Sequence, residues 1–190
     1  MSDLEALEAV LRQRSLEFGD FVLSSGQRSS YYIDARKTTM AALGQRLIGT
    51  LGLELIRNRH WAPVSVGGLT MGADPVAYAI ARASLEFPPV IDGFSVRKAT
   101  KEHGTKKRVE GNFGPGFAVV IAEDVMTSGG SAIQAVEAVR SEGGIVLGVL
   151  AVVDREQGGL EAVRRHGVDV ACITTISRLV SVLKPDSWCC

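Results

Sequence analysis

The chain opens with leucines at 4, 7 and 11 and a valine at 10, a spacing that fits one face of a helix. Ser2 and Glu5 stand three apart at its start, as in a capping box, so the first helix is expected over 2–14. The stretch 18–36 is rich in serine and aromatic residues without a helical period, and reads as short strands and turns. Over 42–60, Leu43, Leu47, Leu51, Leu55 and Ile56 fall on one face of a second helix. From there the pattern alternates. Strands are expected at 64–66, 90–96, 118–122, 145–153 and 168–173, and helices at 73–84, 129–141 and 159–166. The strands are apolar throughout, as in a parallel sheet covered by helices on both faces. The fold class is therefore α/β: one domain over 1–190, with residues 1–40 contributing a small N-terminal cap or hood.

One interval breaks the alternation. Residues 97–116 carry Arg97, Lys98, Lys101, His103, Lys106, Lys107 and Arg108, with glycines at 104, 111, 114 and 116. This is too polar for a core and too rich in glycine for a stable helix. A long mobile loop is expected, and loops of this length are usually functional or disordered.

Composition narrows the function classes. An apolar fraction of 46% over 190 residues argues against disorder. Lysine plus arginine (21) balance aspartate plus glutamate (21), which argues against a general nucleic-acid or membrane-surface binder but leaves room for a local basic patch. Cys172, Cys189 and Cys190 have no zinc-like spacing with His60, His103 or His166, and adjacent cysteines make a poor disulfide framework. The N-terminus is acidic where a signal peptide is basic, and the most apolar stretch, 145–153, is about half a membrane span. A soluble, unprocessed protein of a reducing cytoplasm is expected.

The chemistry concentrates in AVVIAEDVMTSGGSAIQAVEAVR, 118–140. An apolar strand runs into Glu123 and Asp124; Val125 and Met126 follow; then Thr127, Ser128, Gly129, Gly130 and Ser131 open a helix. In parallel sheets, ligands bind beyond the carboxyl ends of the strands. A turn of Thr, Ser and Gly at a helix N-terminus offers free backbone N–H groups, hydroxyls and the positive end of the helix dipole, which together suit a phosphate. The two acids would repel that phosphate, so they suit sugar hydroxyls or a magnesium-bound water instead. A phosphorylated sugar fits the combination better than a plain capped turn does. A second glycine turn, Gly67 to Gly72, also follows a strand and precedes a helix; taken alone it is either an anion site or only a turn. A P-loop is excluded there, because Ala73 and Asp74 stand where Lys and Ser/Thr are required. The basic residues of 97–108, taken alone, are either a lid over an anion or a solvated charge run.

The segment 118–140 resembles the signature for phosphoribosyl pyrophosphate (PRPP) in the type I phosphoribosyltransferases. Three further stretches resemble the orotate phosphoribosyltransferases among them: FVLSSG (21–26) with SYYIDAR (30–36), GGLTMGADP (67–75), and VRKATKEHG (96–104) with VEG (109–111). The resemblance spans about residues 18 to 155, with four motifs in the family's order. It implies a pentosyltransferase joining N1 of orotate to C1 of PRPP, with magnesium carried by PRPP rather than bound directly by the protein, giving orotidine 5-phosphate and pyrophosphate in pyrimidine (UMP) synthesis. By the same resemblance Glu123 and Asp124 hold the ribose hydroxyls, Thr127 to Ser131 hold the 5-phosphate, and Val125 and Met126 between them belong to the PRPP-binding stretch. Gly67–Gly72 cradle the pyrophosphate. Arg97, Lys98, Lys101 and His103 close over PRPP, with Lys98, Lys101, His103 and Asp124 as the catalytic set. Arg155 pairs with the orotate carboxylate, Thr127 lies near orotate, and Tyr32 and Ile33 contact the base through their backbone. A homodimer is implied, the loop of one subunit reaching the site of the other.

Ser24 and Met71 stand where some relatives have lysine, so neither is placed in the site. Two other readings share the ribose segment: a phosphoribosyltransferase for another base, which lacks the match at 21–36 and 96–104, and a PRPP-sensing regulator, which can dispense with the basic loop.

Overall fold

The computed structural model describes residues 1–22, 28–99 and 107–181. Lys101, His103 and the rest of 100–106 within the expected mobile loop, Ser24 and the Trp188-Cys189-Cys190 tail lie outside the described residues.

Helix α1 (Asp3–Arg14) starts on the capping box: Glu5 N–H donates to Ser2 Oγ, and Ser2 N–H to the Glu5 carboxylate. Strands β1 (Leu16–Val22) and β2 (Arg28–Ile33) pair antiparallel as a ribbon separate from the main sheet. A short helix α2 (Arg36–Thr39), which no periodicity announces, leads into α3 (Ala42–Asn58). Then follow β3 (Ser65–Leu69), α4 (Ala73–Ser84), β4 (Asp92–Val96), β5 (Val109–Gly111), β6 (Ala118–Met126), α5 (Gly130–Ser141), β7 (Ile145–Asp154), α6 (Gly159–Arg165), β8 (Val170–Thr175) and α7 (Ile176–Ser181). Among the described residues the main sheet has six strands in the order β5-β4-β3-β6-β7-β8. All neighbours are parallel except β5, which returns antiparallel on β4.

The sheet separates two cores. Val120, Ala122, Leu150 and Val152 face a cluster built with α1, α3, α4 and α7. Their neighbours along the strands, Val119, Ile121, Val149 and Ala151, face a second cluster built with α5 and α6. This two-sided burial explains why β6 and β7 read as unbroken apolar runs. Leu7 and Leu11 of α1 are fully buried in the first cluster, so the helix of the N-terminal segment is continuous with the main core. No helix among the described residues is long and apolar enough to cross a membrane.

Four expectations need correcting. The buried face of α3 carries Gly44, Leu47, Ile48, Gly49, Gly52, Leu53 and Ile56, while Leu43 is exposed. A stripe counted on leucines alone misses glycines where helices approach closely. The strand expected at 64–66 continues to Leu69, so Gly67 and Gly68 lie within it; a Cβ on either would come within 2.2 Å of a neighbouring strand's carbonyl oxygen. The strand expected to end at 122 runs on to Met126 and carries the acid pair. Finally, residues 109–111 are strand rather than loop, which makes one edge of the sheet antiparallel.

Candidate active site

The carboxyl ends of β3, β6 and β7 converge where the parallel sheet presents its binding edge. After Met126 the chain turns through Thr127–Gly129 into α5. Gly129 holds φ +85°, the left-handed region open to glycine at little cost, and no side chain caps the helix N-terminus. The N–H groups of the first turn are thereby left to an external acceptor. Glu123, Val125, Met126, Thr127, Ser128, Gly129, Gly130 and Ser131 line one pocket of about 250 Å³. The turn is therefore not a side-chain-capped one.

The two acids differ in environment. Glu123 is buried, and desolvation together with the charge of Asp124 pushes its pKa up to about 9, while Lys98 acts in the opposite direction. Asp124 is half-buried, and its Oδ1 accepts the N–H of Val125 at 2.9 Å. Asp124 also meets the second glycine turn: a Cβ on Gly72 would fall 2.7 Å from Asp124 Oδ1. The 70–72 turn, fixed by Thr70 N–H to Val96 O at 2.9 Å, therefore lies directly against Asp124. Behind it, Ser95 Oγ donates to Asp74 Oδ1 at 2.7 Å and shares a hydrogen bond with Tyr78. This tie between the start of α4 and β4 has no local signal in the sequence, since its members are far apart along the chain.

The basic interval meets the site through its two stems. Gln134 Nε2 donates to Lys98 O at 3.3 Å, and the Glu142 carboxylate accepts the N–H groups of Arg108 and Val109 at 2.6 and 3.1 Å. Both come from the α5 segment whose N-terminus forms the pocket. Arg97 pairs with Glu110 at 3.0 Å, and its carbonyl accepts from the Arg108 guanidinium. Lys98 is exposed and close enough to Glu123 to act on its charge.

Arg155 follows β7, and its N–H donates to Met126 O at 2.9 Å, which places it beside the phosphate turn. Its guanidinium lies over the ring of Tyr31, 5.6 Å from the centroid, and its Nε and Nη2 are buried without a hydrogen-bond partner among the described residues. Tyr31 was not among the expected site residues. Its signal was available: along β2 the positions 29, 31 and 33 are the more buried ones, so Tyr31 faces inward with Ile33. Tyr32 turns outward and packs on Phe21 at 5.7 Å between ring centroids, while Ile33 is buried opposite Leu16. The side chain joining the ribbon to the site is thus that of Tyr31.

Among the described residues no group of three or more His, Cys, Asp or Glu side chains is placed to hold a metal.

No protein-family model matches the chain. It is 44% identical over 183 residues to the orotate phosphoribosyltransferase of Aquifex aeolicus, covering 95% of this chain and 99% of that one. A solved structure of the Mycobacterium tuberculosis orotate phosphoribosyltransferase superposes with a TM-score of 0.84 at 40% identity, over 94% of this chain and 99% of the other. The same enzyme solved in complex with PRPP gives a TM-score of 0.80 at 38% identity, with the same coverage. A basic interval, two glycine turns against an acid pair, and an unpaired arginine beside them thus occur in a chain matched nearly end to end by these relatives: it belongs to the orotate phosphoribosyltransferase family.

Proposed function

We propose that the chain transfers the 5-phosphoribosyl group of PRPP to N1 of orotate, giving orotidine 5-phosphate and pyrophosphate, the nucleotide-forming step of UMP synthesis. The observation that carries the choice of base is Arg155, whose buried Nε and Nη2 have no partner among the described residues and match the two oxygens of a planar carboxylate. Hypoxanthine and adenine have no carboxylate to place there.

The geometry of the described residues, together with the family resemblance, supports the following roles. The 5-phosphate is held by backbone N–H groups and hydroxyls of Thr127–Ser131, in line with the α5 dipole. Glu123 and Asp124 hold the ribose hydroxyls; a protonated Glu123 donates one hydrogen bond while Asp124 accepts. The 70–72 turn receives the diphosphate. Departure of pyrophosphate leaves positive charge on the ribose ring and negative charge on the leaving group. Lys98, with Arg97, Lys101 and His103, is assigned to stabilise the latter. Magnesium brought in with PRPP would supply further neutralisation of the leaving group. No covalent nucleophile is required.

A homodimer in a cytoplasmic setting belongs to the same proposal. The exposed Met71 and Tyr78 leave apolar surface beside the pyrophosphate turn for a second copy, and the free thiol of Cys172 suits a reducing compartment. Sedimentation of the purified protein tests the dimer. A substrate panel tests the activity: with PRPP and magnesium, orotate should release pyrophosphate, while hypoxanthine and adenine should not. Turnover of a purine without turnover of orotate would refute it.

A further inference from the structure

The base end of the site rests on an arginine that no acid neutralises. The two carboxylates flanking Arg155 are engaged elsewhere: Asp154 Oδ1 accepts the N–H of Glu156 at 2.9 Å, and Glu156 Oε2 accepts the N–H and hydroxyl of Ser177. The Nε–Nη2 edge of a guanidinium is a fork that grips carboxylates twice in this same chain. Arg36 holds Asp34 with it at 2.8 and 3.1 Å, and Arg59 holds Asp169. In Arg155 the same two nitrogens are buried and have no partner among the described residues, and the group lies instead over the face of Tyr31.

A ring face holds a guanidinium differently from a carboxylate. It attracts the cation through the ring quadrupole and leaves the in-plane N–H groups free. An arginine side chain loses rotamer entropy on ordering, and a contact made before the ligand arrives removes part of that cost from binding. Tyr31 is itself held in place. Ser29 Oγ donates to Tyr31 O at 2.7 Å and accepts Tyr31 N–H at 3.3 Å, and β1 pairs Phe18 opposite Tyr31.

We propose that Tyr31 is a positioning residue for the base: its ring fixes the Arg155 guanidinium so that the Nε–Nη2 edge is free to meet the carboxylate of a planar acidic base. The inference rests on the orotate reading above. It assigns to the hood ribbon a role in base affinity through a side chain, in addition to any backbone contact.

Steady-state kinetics on the full chain with orotate, PRPP and magnesium tests it. Tyr31→Phe keeps the ring and should leave the orotate KM within about twofold of wild type. Tyr31→Leu should raise it about tenfold, with kcat and the PRPP KM held within about twofold. Trifluorophenylalanine at position 31 keeps the ring's shape while weakening the negative potential of its face; it should raise the orotate KM without lowering the unfolding temperature, so the test does not depend on how Leu packs. In an Arg155→Met background, Tyr31→Leu should add less than about twofold, since the two act as a unit. An unchanged orotate KM in the Leu and fluorinated variants overturns the proposal, as does a parallel rise in both substrates' KM, which marks a merely structural residue. Wild-type protein that does not turn over orotate overturns the activity reading itself, an outcome distinct from either.

Discussion

Arg155→Met separates binding from stability, because the two should move in opposite directions. Methionine keeps the aliphatic bulk and removes the guanidinium. Two charge-assisted hydrogen bonds to the orotate carboxylate are lost, and such bonds contribute about 1.5–3 kcal/mol each. Allowing for incomplete additivity, the loss is about 3 kcal/mol, or roughly 150-fold in kcat/KM for orotate. Most of it should appear in KM, since the carboxylate takes no part in the bonds made or broken. In the free protein, Nε and Nη2 are buried without partners. Each such group costs about 1–3 kcal/mol, against a contact with Tyr31 worth about 0.5–2 kcal/mol. Removing the guanidinium should therefore leave the apo protein as stable as before or more so, by up to a few degrees in Tm at about 2–4 °C per kcal/mol. Orotate should raise the Tm of wild type and not that of the variant. The assays are initial-rate kinetics and thermal scans with and without orotate. An orotate KM equal to wild type, together with an apo Tm lowered by about 6 °C or more, would show that Arg155 holds the fold and not the base.

Glu123 has a folded-state pKa near 9 against 4.5 for the unperturbed acid, so the folded chain binds a proton that the unfolded chain releases between those values. Its contribution is fully present below pH 4.5 and is lost as pH rises towards 9, with a slope of at most about 1.4 kcal/mol per pH unit; Glu123→Gln should flatten that slope in denaturant titrations from pH 5 to 9, and identical slopes would count against a protonated Glu123. Gly129→Ala forces a left-handed φ on a residue with a Cβ that would sit 2.9 Å from Gly159 O, so it should cost at least about 1–2 kcal/mol in urea unfolding and weaken PRPP binding more than orotate binding. Lys101→Ala should lower turnover by orders of magnitude with an unchanged Tm; near-normal turnover refutes its assignment to the leaving group. Glu142→Ala removes the acceptor for two backbone N–H groups at the loop's second stem and should lower kcat with little change in orotate KM, as initial rates at saturating PRPP would show.

The fold was legible wherever a single element carried its own pattern. The capping box of α1, the apolar runs of β6 and β7 and the helix from 73 to 84 all follow from local spacing. What stayed hidden depends on neighbours. Gly67 and Gly68 look like a turn in isolation and are strand in the structure, because Phe94 and Ala122 crowd them from either side. Val109–Gly111 is too short and too polar to read as a strand, and exists because β4 offers it an edge. The turn of residues 127–131 into α5 was legible, since it lies in one contiguous stretch. The base end was not: Arg155 is recognisable by its motif, but its partner Tyr31 stands more than a hundred residues away and was passed over for the adjacent Tyr32.

The described residues proposed to hold the sugar phosphate lie at the strand ends of the six-stranded sheet and at the start of α5, while Tyr31 comes from a two-stranded ribbon that shares no strand with that sheet. Base recognition as proposed is thereby divided, with Arg155 on the sheet that carries the phosphoribosyl site and Tyr31 on a part that is exchangeable apart from it. Grafting a different hairpin between α1 and α2, together with a change at position 155, is the shortest route by which this framework could acquire another nucleobase while its treatment of the activated sugar stays intact.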